Sequence, residues 1–352
     1  MRTQVVNDDI ARVVAEDLPW FELQDARVLV TGANGMIPSV AVLALLEANR
    51  TFGLNLTVYA LVRNAQRTRE IFDDLFESPA LVVWEQDVTA PLPTTVAMTH
   101  IIHGASAAQP KKHATDPVGT LNANLRGTQN LLDAAVSWGS RSFVLMSSAE
   151  IYGDTSGISG MISEDDYGTI DILSPRACYS EGKRASETIA AVYSHQYGIS
   201  YTAARFGHVY GPGLRADDGR VQADFAGDVL AGRDIVLQSA GLAQRTYTYV
   251  SDAVTGLFTA MLRGSNGAFN VADASGLVTI RGLAETFVSA RAEKHLQLQF
   301  DQGVESAGTS PIQFLGLDSA KLRALGWNPR VPLDEGVDRF LTHLEQQSEP
   351  AA

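Results

Sequence analysis

The chain has 352 residues, 45% of them hydrophobic, which is enough material for one large or two interleaved domains around a buried core. Its net charge of −13 sets it against a phosphate backbone or an anionic membrane surface, so neither nucleic acid nor membrane is an expected partner, although a local basic pocket can still hold an anionic substrate. A single cysteine, Cys178, excludes an intramolecular disulfide. Together with an acidic N-terminus that lacks the apolar run of a signal peptide, this leads to an expected cytoplasmic location.

Residues 1–24 read as a leader with a short helical pattern (Ile10, Val13, Val14) and an aromatic pair, Trp20 and Phe21, expected to pack on the main domain. Arg27-Val28-Leu29-Val30 is a short apolar run that stops at Thr31-Gly32-Ala33-Asn34-Gly35 and gives way to an apolar helical segment over 37–48. Strand, glycine turn and helix in that order suit a pyrophosphate, which needs close backbone approach and the unpaired amides and dipole of a helix N-terminus. The expected cradle is Gly32, Asn34 and Gly35, with Met36 and Ile37 opening the helix. The T-G-x-x-G spacing departs from the stricter G-x-G-x-x-G, and Pro38 stands where a third glycine would make the close helix–strand contact. Proline is tolerated in a first helical turn because the N–H it lacks would be unpaired there anyway.

The next strand, 56–62, ends in Arg63-Asn64. A carboxylate there would bind the adenosine ribose diol, whereas Arg63, with Arg67 nearby, suits a 2′-phosphate, so these residues leave NAD and NADP both open. The apolar run 81–84 leads to Asp87-Val88, a strand-end pair placed to meet the adenine, and a strand over 99–103 ends in His103-Gly104-Ala105-Ser106. A helix over 119–137 and a strand over 143–146 continue the alternation. Such alternation predicts an α/β fold, a doubly wound parallel sheet with its ligand at the C-terminal ends of the strands.

The stretch A-C-Y-S-E-G-K-R-A-S-E at 177–187 puts Tyr179 and Lys183 four residues apart, on one helix face. A phenol titrates near about pH 10 and is a poor base at neutrality, but an ammonium one turn away is expected to favour the phenolate and make Tyr179 a proton acceptor for alcohol oxidation. After Phe206 the texture changes to Gly211-Pro212-Gly213, Asp217-Asp218-Gly219-Arg220, a helical 221–230 and a basic-aromatic strand, Arg245-Thr246-Tyr247-Thr248-Tyr249-Val250. This reads as a smaller substrate lobe over 206–345, set on a Rossmann-like dinucleotide-binding domain over 25–205. The main sheet is expected to take back two strands, near 247–250 and 268–271. No metal-ligand spacing stands out.

With T-G-A-N-G at 31, S-S-A-E-I-Y-G at 147, Y-S-E-G-K at 179 and R-F-G-H-V-Y-G-P at 205, the chain resembles the extended short-chain dehydrogenase/reductase family, whose members include nucleotide-sugar epimerases, dehydratases and decarboxylases. The resemblance spans residues 28–339. Within the family the chain looks most like the branch that decarboxylates UDP-glucuronate, through P-R-A-C-Y-S-E-G-K-R at 175, D-D-G-R-V-Q-A-D-F at 217 and Q-R-T-Y-T-Y-V-S-D at 244.

The resemblance implies a tightly held NAD, a nucleotide-diphosphate sugar as substrate and transient oxidation at the sugar C4. Tyr179 would be the base, Ser148 would share the O4 proton, and Lys183 would hold the ribose and lower the tyrosine pKa. Glu150 would act at C5. Ala105 falls against the cofactor and Ser106 against the substrate, while Arg220 and Arg245 fall in the segments that grip the diphosphate, which suits bidentate guanidinium donors. His208 stands where the family has asparagine, and it retains one hydrogen bond to donate. A homodimer is implied, through a four-helix bundle of the helices at 119–137 and 179–196.

Ala149 stands where a dehydratase of the dTDP-glucose type carries the aspartate that protonates the leaving hydroxyl, so that reaction lacks its acid. The alternatives to decarboxylation are a 4-epimerase of a UDP-hexose or hexuronate, another nucleotide-sugar dehydratase, and a non-catalytic cofactor-sensing protein of the same fold. A sensor would have no need of Ser148, Tyr179 and Lys183 together.

Overall fold

Short apolar runs become strands and the amphipathic segments between them become helices. The computed structural model describes residues 2–93, 95–215, 218–301 and 312–348. In chain order it gives α1 (Gln4–Ala15), β1 (Arg27–Thr31), α2 (Met36–Phe52), β2 (Thr57–Val62), α3 (Ala65–Phe72), β3 (Leu81–Glu85), β4 (His100–His103), α4 (Pro110–Thr115), α5 (Pro117–Trp138), β5 (Ser142–Ser148), α6 (Ala177–Tyr197) and β6 (Ser200–Phe206). The second half adds β7 (His208–Tyr210), α7 (Val221–Leu230), β8 (Ile235–Leu237), β9 (Gln244–Tyr249), α8 (Val250–Arg263), β10 (Gly267–Val271), β11 (Leu277–Thr279), α9 (Ile280–Ser289), β12 (Leu298–Phe300), β13 (Phe314–Leu315), α10 (Ala320–Arg323) and α11 (Leu333–Ser348).

Seven strands form one sheet in the order β3-β2-β1-β4-β5-β6-β10, and every neighbouring pair is parallel. The expected doubly wound parallel sheet is therefore present. Its strands are apolar on both faces, as a sheet covered by helices requires. Leu29, Ile101, Phe143 and Leu145 pack toward α5 and α6, while Val28, Val30, Ile102 and Val144 belong to the core that α1, α2 and α8 complete. The strand order reverses between β1 and β4, and the crevice beyond their C-terminal ends is the place where such a sheet receives a ligand.

Of the two strands expected to return to this sheet, only β10 does so, beside β6. By contrast, β9 forms the centre of a second sheet of four strands, parallel to β7 and β13 and antiparallel to β11. The cause is local. Gly207 donates its N–H to the Val271 carbonyl and closes the main sheet, so the chain leaves it as β7 and offers β9 a new edge.

The leader is bound at both ends of the molecule's sequence. Thr3 caps α1 by accepting the Val6 N–H and also hydrogen-bonds His343 of α11 at 2.8 Å. Asp9, buried, accepts from the Tyr249 hydroxyl at 2.8 Å and from Arg339 at 2.6 Å. A buried carboxylate needs such partners. No helix among the described residues is long and apolar enough to cross a membrane.

Candidate active site

At the end of β1 the chain turns at Gly32, whose φ of +65° is left-handed; a Cβ there would lie 2.9 Å from the Ala105 Cα. Asn34 sits inside this turn and Gly35 caps α2 without a side chain, so the first-turn amides at Met36 and Ile37 are left for an anion. Pro38 occupies the same turn. A Cβ on Gly104 would meet the Pro38 Cγ at 2.7 Å, so the close approach that a third glycine would permit is made with the side chain missing from the strand side instead. The cradle left open by Gly32 and Gly35 fits the pyrophosphate of a dinucleotide. Ala105 borders it, donating its N–H to Thr31 Oγ1 at 3.1 Å.

At the other end of the crevice Arg63 follows β2, its guanidinium 4.0 Å from the Asp87 carboxylate, with both groups well exposed. Asp87 also accepts from the Thr89 N–H and hydroxyl. Val88 buries its side chain against Gly127, and its carbonyl accepts from Asn130 at 3.1 Å.

Helix α6 carries Tyr179 and Lys183, and its packing on α5 explains its position. Gly182 allows Asn124 to approach to within ordinary contact, and the Ser186 hydroxyl donates to the Asn124 carbonyl. Tyr179 and Lys183 are both buried on this helix. The Lys183 ammonium lies 6.0 Å from the centre of the Tyr179 ring and donates to the Met146 carbonyl at 2.7 Å. Ser148, at the end of β5, hydrogen-bonds Tyr179 and accepts the Glu150 N–H at 3.2 Å. Glu150 accepts from the Ser180 hydroxyl at 3.3 Å and pairs with Arg176 at 3.6 Å. The four residues expected to be catalytic are thus brought together.

Their electrostatics differ from expectation in one respect. Burial first, then the Glu150 carboxylate, pushes the Tyr179 phenol up to about 12, against the opposing hydrogen bond from Ser148 and the charge of Arg220. Burial also pushes Lys183 down to about 8, opposed by Glu187. The lowering of Tyr179 expected from Lys183 is absent in the protein alone, because the ammonium is turned to a carbonyl and desolvation outweighs it.

One turn beyond Lys183, Glu187 binds Arg205 through both oxygens and accepts from Ser147 at 2.5 Å. Arg205 also donates to the Tyr152 hydroxyl at 3.0 Å and the Glu164 carbonyl at 2.8 Å. This buried network fastens α6 to β5 and β6 and so fixes where Tyr179 stands.

Residues that follow β6 add further charged groups. Arg220, at the head of α7, is held by both oxygens of Asp218, which also accepts from Gln109 at 3.3 Å. Asp217, part of the same motif, lies outside the described residues. Arg245 in β9 is buried and donates to the carbonyls of Gln244, at 2.7 Å, and Ile312. Its field is felt by His208, as is that of Arg220. Burial first, then Arg245 and Arg220, pushes His208 down to about 3, so it is a neutral hydrogen-bonding group and no general acid at neutral pH. Its Nδ1, the Ser106 hydroxyl and the Tyr247 hydroxyl are buried with no hydrogen-bond partner among the described residues. Such orphaned polar atoms suit a site that a polar ligand completes.

Sequence reasoning missed His113, whose ring stacks on Tyr179 at 4.6 Å, and the pairing of Arg220 with Asp218, which Gln109 also joins as a donor to Asp218. A lone histidine on a short helix carries no signal of its destination. The D-D-G-R string did contain the second pair, as two opposite charges two residues apart.

A doubly wound parallel sheet with a glycine turn after β1 and a tyrosine–lysine pair at its strand ends defines the extended short-chain dehydrogenase/reductase class. The chain matches the NAD dependent epimerase/dehydratase family over residues 28–272, and it belongs to that family. It is 33% identical over 317 residues to UDP-glucuronic acid decarboxylase 6 of Arabidopsis thaliana, covering 90% of this chain and 88% of the relative. Among solved structures it resembles the UDP-glucose 4-epimerase of Thermus thermophilus in complex with NAD, with a TM-score of 0.73 and 28% identity over 91% of this chain and 99% of the other. The UDP-glucuronic acid 4-epimerase of Bacillus cereus shares the fold at a TM-score of 0.78 and 21% identity, over 91% of this chain and 99% of that one.

Proposed function

We propose that the chain decarboxylates UDP-glucuronate by way of transient oxidation at C4. The observation that carries this reading is Glu150, a carboxylate close enough to the base to raise the Tyr179 pKa and held by Ser180 and Arg176. The similarity to UDP-glucuronic acid decarboxylases supports it.

Residues 32–37 would hold the pyrophosphate of the cofactor, Ala105 its border and Lys183 its ribose. When bound, NAD supplies a hydride acceptor and a positive charge near the phenol. Tyr179 takes the O4 proton and Ser148 shares it. Loss of hydride and proton at C4 makes the neighbouring carboxylate that of a β-keto acid; its C5–C6 bond breaks to release CO2, the electron pair passes to the C4 carbonyl as an enolate, a proton is taken up at C5, and return of the hydride to C4 gives the pentose. Glu150 serves this step by working on the proton at C5 or by raising the energy of the substrate carboxylate through like charge. Arg220, exchanging Asp218 for substrate, and Arg245 grip the diphosphate, with His208 and Ser106 as neutral partners.

NAD rather than NADP is the proposed cofactor, since Asp87 shares the charge of Arg63. A homodimer through α5 and α6 is supported by exposed apolar residues on both helices, Val118 and Leu121 on the first and Val192 and Tyr197 on the second. The single cysteine fits a cytoplasmic location. A 4-epimerase is the second reading, favoured by the structural likeness to 4-epimerases. Purified protein incubated with UDP-glucuronate is expected to release CO2 and a UDP-pentose; formation of UDP-galacturonate without CO2 would replace decarboxylation with epimerisation.

A further inference from the structure

The ring of His113 lies against that of Tyr179 with 4.6 Å between centroids and 16° between planes. His113 is 2% exposed, and its Nε2 bonds the Ala107 carbonyl at 2.8 Å. A carbonyl only accepts, so this bond assigns the proton to Nε2 and leaves Nδ1 bare. That nitrogen is buried with no partner among the described residues. An unpaired buried acceptor costs about 1–3 kcal/mol, so an aliphatic side chain would be the easier filler here. What the imidazole adds is a flat face at a fixed angle, anchored to the segment that follows β4.

That segment starts at Gly104 and Ala105, which pack against the glycine turn, while Tyr179 belongs to α6. The His113 ring therefore joins the cofactor side of the crevice to the base. A phenol that must exchange a proton with both Ser148 and a substrate hydroxyl has to keep its oxygen in line. Misplacement by about 1 Å costs on the order of a hundredfold in rate, and a stacked partner restrains the ring by about 0.5–1.5 kcal/mol beyond simple burial.

We propose that His113 is a positioning residue for Tyr179: its imidazole, tethered to the Ala107 carbonyl, is the wall that fixes the plane of the phenol and keeps water from that face. The inference rests on Tyr179 being the base. It touches neither the identity of the sugar nor the role of Glu150.

The test compares His113→Ala, His113→Phe and His113→Gln with Tyr179→Phe, in NAD-loaded protein supplied with UDP-glucuronate. His113→Ala is expected to lower kcat about 10- to 100-fold while KM and bound NAD stay within about twofold. His113→Phe, which keeps a flat face, should recover most of the loss; His113→Gln, which keeps a hydrogen bond but no ring, should not. An activity-free reading comes from ultraviolet difference titration of the phenolate, wild type against Tyr179→Phe. In the His113→Ala background the Tyr179 ionisation should move down from about 12 toward the ordinary tyrosine value, because water reaches it. If His113→Ala does not fold, the order of Phe above Gln decides alone. Wild-type kcat in His113→Ala, a Phe variant no better than Gln, or an unmoved Tyr179 ionisation would overturn the proposal. An active Tyr179→Phe would instead remove the base assignment on which it stands.

Discussion

Lys183 directs its ammonium at the Met146 carbonyl, 2.7 Å away, and so anchors α6 to the strand that ends in Ser148. The lysine is thereby fixed in register beside Tyr179 before any ligand arrives. Replacing Tyr179 by Phe keeps this anchor and removes only the hydroxyl. Tyr179→Phe should therefore fold, bind cofactor and lose turnover, since a positioned acid–base group is worth about 10²–10⁴-fold. Retention of more than about a tenth of the wild-type rate would contradict the role given to the phenol.

The pairing of Arg63 with Asp87 at 4.0 Å bears on cofactor choice. A 2′-phosphate would be drawn to the arginine but repelled by the aspartate, whereas a ribose diol finds an acceptor in the latter. Cofactor released from purified protein is expected to be NAD. Titration should show tighter binding of NAD than of NADP, and Asp87→Asn should narrow the difference. Released NADP would reverse the assignment.

Alternation of strand and helix was legible because a buried parallel strand is an apolar run and its covering helix an amphipathic one. The limits of legibility are equally physical. Nothing in the run 245–250 states which edge it will join; that is decided by the departure of β7 at Gly207, a tertiary event. Tyr179 and Lys183 were readable from local spacing, Ser148 and Glu150 only from the resemblance to the family, and the structure brings the four together. The sign of the Tyr179 shift was not, because desolvation depends on what covers the ring, and the cover includes His113 from a distant helix.

The ion pair of Glu187 and Arg205 is buried on both sides, with side-chain exposures of 13% and 5%. Removing the carboxylate leaves a buried guanidinium uncompensated, a change that costs about 3–5 kcal/mol. Glu187→Ala should lower stability by that order in denaturant titration. The paired change Glu187→Gln with Arg205→Met should recover much of it. A loss below about 1 kcal/mol in Glu187→Ala would show the pair to be better hydrated than its burial implies.

Acid should unfold the protein through its buried histidines. Burial pushes His103 down to about 3, with Lys183 adding to the effect, and pushes His100 down to about 4, with Arg141 adding. His343 is likewise held near about 4 by burial. Each is neutral in the folded state while the unfolded chain takes up a proton near about pH 6.5. The unfolded state then binds more protons, so this stability is present above that pH and falls as pH drops toward the folded values, by up to about 1.4 kcal/mol per unit for each fully buried ring. Asp252 acts in the opposite direction, since burial raises it to about 6 and the folded state gains a proton first. Asp9 and Asp224 are raised by burial as well, but these carboxyls do not offset the lowered imidazoles, which also include His113 and His208. Thermal unfolding followed from about pH 7.5 to 5 should show a falling Tm; an unchanged or rising Tm over that window would refute the sign.

The choice between decarboxylation and epimerisation turns on Glu150, which Ser180 and Arg176 hold beside the base. In the decarboxylase reading it acts after C4 has been oxidised, at the neighbouring carbon. Glu150→Gln keeps the shape and the hydrogen bond from Ser180 but removes the charge, so UDP-glucuronate should still be oxidised, NADH should accumulate and CO2 release should fall by about 10²-fold or more. It also removes a charge that raises the Tyr179 pKa, which favours the oxidation step rather than impeding it. In the epimerase reading nothing happens at C5, so the same change should slow inversion only modestly and NADH should not build up. Following NADH absorbance and sugar products together in the variant separates the two. Release of CO2 at the wild-type rate from Glu150→Gln would show that this carboxylate has no part in the step assigned to it.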